Sequence, residues 1–60
     1  MIAKFSSDTN FMTAVSLLEE ERVECEPNCY SLEIEIDDDE YQRWKNEIDD
    51  IVHDLSGYFD

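Results

Sequence analysis

Tyr30-Ser31-Leu32-Glu33-Ile34-Glu35-Ile36 is the stretch that decides the fold. Apolar and polar side chains alternate along it. Tyr30, Leu32, Ile34 and Ile36 therefore share one face of a strand, and Ser31, Glu33 and Glu35 share the other. Just before it, Glu26-Pro27-Asn28-Cys29 has the form of a type I turn with proline at the second position. Arg22-Val23-Glu24-Cys25 alternates in polarity ahead of that turn. Together these segments predict a β-hairpin with strands near 22–26 and 29–36.

Upstream, residues 2–6 predict a short strand, with Ala3 and Phe5 facing one side and Ile2 and Lys4 the other. Ser6-Ser7-Asp8-Thr9 is a helix start, because a short polar side chain at the N-cap accepts from an orphan N–H of the first turn. Phe11, Ala14, Val15 and Leu18 then fall on one stripe of a helix over 8–21. Downstream, Asp37-Asp38-Asp39-Glu40 opens a last helix with acids where the dipole favours them. Its apolar seam is Tyr41, Trp44, Ile48, Ile51 and Leu55, broadened by Val52. Gly57 is its stop, and Tyr58-Phe59 either folds back over the core or stays exposed. The expected order is β-α-β-β-α. This is an α+β two-layer domain, with a three-stranded antiparallel sheet and two helices on one face. The first strand pairs with either hairpin strand. Phe11, Leu32, Ile34, Trp44, Ile48, Ile51 and Leu55 are the expected core.

Sixty residues make a single domain, 1–60. Its charge is the second strong signal: seventeen Asp or Glu oppose four Lys or Arg, a net charge of -13. Self-repulsion of that size lowers stability, yet the chain is 42% hydrophobic and patterned to fold. An anionic surface is repelled by nucleic acid and by anionic membranes, so neither is an expected partner. There is no long apolar run and no secretion signal, so the expected location is the cytoplasm. Cys25 and Cys29 read as two reduced thiols near a turn, with a cross-strand disulfide as the alternative.

Little in the chain suits catalysis. No carboxylate is marked as buried among apolar residues, as paired acid–base chemistry needs. Glu24 and Glu26 are the wrong neighbours for a nucleophilic Cys25 or Cys29. His53 lies among Asp49, Asp50 and Asp54 as an exposed, charge-balanced side chain. One glycine provides no phosphate-cradling loop. The expectation is a non-enzyme with no cofactor. Asp37 to Glu40 resembles a cation site in composition only, since the spacing of an EF-hand loop is missing. With one histidine, four tetrahedral zinc ligands do not assemble.

The acids have a geometry of their own. Glu33 and Glu35 point to one side of their strand, about 6.7 Å apart, and Asp37 continues the row. Glu40, Glu47, Asp50 and Asp54 lie opposite the apolar seam of the last helix, the last three spaced by roughly 4.5 and 6 Å along the axis. Such rows approach the charge spacing of a nucleic-acid strand, about one phosphate per 3.4 Å. Glu19-Glu20-Glu21, at the unfavourable end of the first helix, reads as a solvated acidic face, with retention for a partner as the alternative.

In size and charge the chain resembles the small acidic inhibitor proteins of phages and mobile elements, the DNA mimics and anti-CRISPR proteins. The resemblance rests on Glu19 to Glu21, Glu33 and Glu35, Asp37 to Glu40, and the face of Glu47, Asp49, Asp50 and Asp54. It implies a non-enzymatic inhibitor that presents a nucleic-acid-like surface to the basic groove of a host nucleic-acid-binding protein. The expected partner-binding residues are Glu33, Glu35, Asp37, Asp38, Asp39, Glu40, Glu47, Asp50 and Asp54. The alternative is a small regulatory or antitoxin-like module acting through the apolar face of its last helix, as a homodimer or on a partner.

Overall fold

The computed structural model describes every residue from Met1 to Asp60. The elements run β1 (Ile2–Lys4), α1 (Asp8–Glu20), β2 (Glu26–Asn28), β3 (Glu33–Glu35), α2 (Asp38–Arg43), α3 (Lys45–Asp54) and β4 (Tyr58–Phe59). The class is α+β, as the pattern predicts, with one antiparallel sheet in the order β2-β3-β1-β4. The sheet has four strands rather than three. Tyr58-Phe59 pairs with β1, opposing Phe59 to Ala3 and Tyr58 to Lys4.

The hairpin sits further along the chain than its turn signal indicates. Glu26-Pro27-Asn28 is a strand, not a turn, and residues 29–32 form the connection. Proline is tolerated there because β2 is the sheet edge, where a missing N–H breaks no second ladder. The Asn28 side chain fixes the real turn: its Oδ1 accepts the N–H of Tyr30 at 3.0 Å and of Ser31 at 3.4 Å. Leu32 closes it with a φ of 57°, and its carbonyl accepts the Phe5 N–H at 3.0 Å.

α1 begins where Ser7 predicts. The Ser7 hydroxyl caps Asn10 N–H at 3.1 Å. It ends in a Schellman motif, with Val23 N–H to Leu18 C=O and Arg22 N–H to Glu19 C=O, both 3.0 Å. Arg22 takes the left-handed position, φ 61°, that glycine usually fills. α3 ends the same way, with Ser56 at φ 58° and Gly57 N–H on the Val52 carbonyl at 2.7 Å. Gly57 does mark the stop, but not through its φ. A Cβ there would lie 2.6 Å from the Phe5 ring and 3.0 Å from the Lys4 carbonyl, so its role is close approach.

The expected last helix is divided at Trp44 into α2 and α3. No glycine or proline marks the break. Tyr41 on α2 reaches across it, donating to Asp49 on α3 at 2.8 Å.

The core gathers between the inner sheet face and α1 and α3. Ala3, Phe5, Ile34 and Ile36 meet Phe11, Ala14, Leu18, Ile48 and Val52, with Val23 beneath the loop after α1. Phe11, Ile34 and Ile48 are buried as expected. Leu32, Trp44, Ile51 and Leu55 are only partly buried against this cluster, and Val52, one turn on from Ile48, takes a buried place on α3. Asn10 Nδ2 donates to the Leu55 carbonyl at 3.0 Å, joining α1 to the end of α3. No helix is long and apolar enough to cross a membrane.

Candidate acidic interface

With the helices on one face, the opposite face of the sheet has no cover. Alternation from buried Ala3 and Ile34 assigns its occupants. One cross-strand row is Glu26, Glu35 and Ile2; the next is Asn28, Glu33, Lys4 and Tyr58.

This open face is electrostatically lopsided. Lys4 pairs with Glu33 and with Asp60, both at 3.3 Å, and the hydrogen bonds its ammonium donates to Asp60 and Glu33 raise its pKa. The β1–β4 side is therefore balanced. On the β2 side, Glu26 stands directly opposite Glu35, and neither makes an ion pair. Like charges so placed are destabilising. Beside them Glu24, Glu26, Glu35 and Asp37 line one open concavity of about 360 Å³, together with Cys25. No Lys, Arg or His lines it.

The wall of that concavity is braced by a residue the sequence placed among the presented acids. The half-buried Glu40 accepts the Glu24 N–H at 3.0 Å through Oε2. It ties the Val23–Cys25 loop to α2, so its carboxylate is engaged within the fold.

The expected partner-binding residues divide by place. Glu35 and Asp37 line the groove. Glu33 is on the same sheet face but neutralised by Lys4. Asp38 and Asp39 continue the line into the first turn of α2, and Asp38 lies 3.5 Å from the Met1 amine. Glu47, Asp50 and Asp54 are exposed on α3. They face out from the helical layer, away from the open sheet, so the two rows do not form one surface. Glu24 and Glu26 were missed because a turn at 26–29 sets the expected strand 22–26 in a register that does not bring Glu26 across from Glu35. A strand ending at Asn28 would have placed Glu26 across from Glu35.

Asp49 belongs to a separate cluster. It accepts from Tyr41 at 2.8 Å and from Lys45 at 3.1 Å. The Tyr41 hydrogen bond, helped by Lys45, holds its carboxyl below the ordinary range. The same contact raises the Tyr41 and Lys45 pKa values. This trio fastens the bend at Trp44.

The cysteines are free. Cys25 and Cys29 flank β2 on one strand, so four extended residues separate them by about 13 Å, beyond the roughly 7 Å a disulfide spans. Burial, then the nearby Glu19, pushes the Cys25 thiol up, which disfavours a nucleophilic thiolate. No group of three or more His, Cys, Asp or Glu side chains converges in a metal-binding arrangement. The seam of the last helix, which an apolar interaction module would need free, packs against the core.

No protein-family model matches the chain, and neither a curated protein nor a solved structure is significantly similar to it.

Proposed function

We propose that this protein is a non-enzymatic inhibitor that occupies a basic, nucleic-acid-binding groove of a host protein with carboxylates in place of phosphates. One observation carries the reading. Glu24, Glu26, Glu35 and Asp37 surround a single open groove that holds no cation, while Lys4 is held by acids on the other half of the same face. The fold keeps Glu26 against Glu35 at a cost in stability, and a basic partner would turn that repulsion into attraction. Asp38 and Asp39 follow the groove acids in the first turn of α2. The reading is of a binder.

The test is capture of partners from host lysate on the immobilised protein, followed by elution with duplex DNA or with salt. A basic nucleic-acid-binding protein released by DNA at low salt supports the proposal, since counterion release makes such complexes strongly salt-dependent. A partner that ignores DNA and stays bound at high salt contradicts it.

A further inference from the structure

α2 is the one helix of the fold that gives nothing to the core. None of its residues, Asp38 to Arg43, is buried, and all ten core side chains come from other parts of the chain. Both its flanks leave the helical path: Asp37 has a ψ of 147°, and Trp44 breaks the run into α3 at φ -118° and ψ 28°. We infer that α2 is a charge-sensitive latch, a hinged segment that opens as one unit about Trp44 and releases the Val23–Cys25 loop as it goes.

Two neighbouring side chains hold it shut, and they reach different elements. Glu40 Oε2 accepts the Glu24 N–H at 3.0 Å, tying α2 to the loop after α1. The Tyr41 hydroxyl donates to Asp49 Oδ1 at 2.8 Å, tying α2 to α3, and the Tyr41 ring meets that of Phe59 edge-on at 5.4 Å. Asp38 adds little, because its side chain is 88% exposed where it faces the Met1 amine at 3.5 Å. A segment held by two side-chain hydrogen bonds and one ring contact, with no buried residue, opens at a lower free energy than the core. Glu40 and Tyr41 are adjacent on one short helix, so a swing about Trp44 breaks both ties together.

Charge works against closure. Asp37 lines the groove with Glu24, Glu26 and Glu35, and closure holds Asp38, Asp39 and Glu40 in the turn that follows. No cation lines the groove to offset them. Opening carries the α2 carboxylates away from the groove acids, so screening by salt, or neutralisation of those acids, favours the closed form. On the acidic-interface reading, a basic partner in the groove acts in the same direction and selects the closed form.

The test needs no partner: it is amide hydrogen exchange of the full chain by NMR at low salt, in wild type and three variants. In wild type the Glu24, Tyr41 and Trp44 amides are expected to share one opening, about a hundredfold less protected than those of Ala14, Leu18 and Val52. Tyr41→Phe is expected to cut the protection of Glu24 about tenfold, although that amide is held by Glu40 and not by Tyr41. Glu40→Ala is expected to cut that of Trp44 about fivefold. Glu26→Gln/Glu35→Gln, which leaves α2 unaltered, is expected to raise the protection of all three amides about threefold, and about 0.5 M salt is expected to do the same in wild type. Three amides that exchange only with the core, or a Glu24 amide indifferent to Tyr41→Phe, overturn the hinge. Protection unmoved by salt and by Glu26→Gln/Glu35→Gln overturns its control by charge. Each of these failures leaves the acidic-interface reading to its own test.

Discussion

Replacing Glu26 should make the protein more stable and less able to bind. Glu26 and Glu35 are opposed across β2 and β3, which places their Cβ atoms about 5 Å apart. Taking the carboxylates at about 6 Å in a solvent-like dielectric, their repulsion is about 0.7 kcal/mol, within the range of roughly 0.2–1 kcal/mol for cross-strand pairs. Glu26→Gln removes that term. Glu26→Lys reverses it, for a gain of about 1.4 kcal/mol by the same arithmetic. In a domain of this size about 1 kcal/mol moves the melting temperature by roughly 4–8 °C. Thermal melts at low salt should thus rise by about 3–6 °C for Glu26→Gln and about twice that for Glu26→Lys. Repeating the melts at about 1 M salt, where the screening length is about 3 Å, should erase most of both gains. A loss of stability in either variant, or a gain that survives high salt, would refute the claim that the open face stores repulsion.

Gly57→Ala forces a Cβ to within 2.6 Å of the Phe5 ring, with backbone on the other side. The expected loss is about 1–3 kcal/mol in urea unfolding, and an unchanged midpoint would contradict the close-approach role. Tyr41→Phe removes the hydrogen bond that lowers the Asp49 pKa and raises that of Tyr41. A depressed aspartate contributes stability above its unfolded value of 3.8 that is lost as pH falls through its lower folded value. A raised tyrosine contributes stability below 10.0 that is lost as pH rises through its folded value. Wild type should therefore melt above the variant near neutrality, with the gap closing at both extremes; a gap independent of pH would count against the network. Exposed Cys29 should react with a thiol reagent at neutral pH well before Cys25, whose thiol is half-buried and raised. Equal rates, read by mass spectrometry, would contradict that placement.

The sequence makes the α+β class legible because its periodicities are unmixed. Ala3 and Phe5 alternate into the core, Phe11, Ala14 and Leu18 follow one helical stripe, and Ser7 caps where its hydroxyl can reach Asn10. What it hides are choices made by single side chains. Pro27 suits both a turn and an edge strand, and the Asn28 side chain selects the later turn. The break at Trp44 has no glycine or proline to announce it and is fastened by Tyr41 reaching Asp49. β4 is two residues long, too short for any alternation to show. The same shift of the hairpin accounts for the site. Glu35 and Asp37 are acids of the expected row, but Glu26 joins them only in the shifted register that opposes it to Glu35. Lys4 removes Glu33 from the free charge through a contact twenty-nine positions away in the chain, and Glu40 turns inward to brace Glu24. Neither contact has a local signature.

The central claim is that the groove acids hold a basic partner, and the most direct measurement is the partner's affinity for a charge-neutral groove. Glu24→Gln/Glu26→Gln/Glu35→Gln/Asp37→Asn changes four exposed carboxylates that make no ion pair, and Asp37 caps α2 without a side-chain hydrogen bond. The account predicts that the variant folds, melts no lower than wild type, binds the DNA-displaceable partner at least about a hundredfold more weakly, and shows a flatter dependence of affinity on salt. A variant that folds and binds with undiminished affinity and the same salt slope would contradict it.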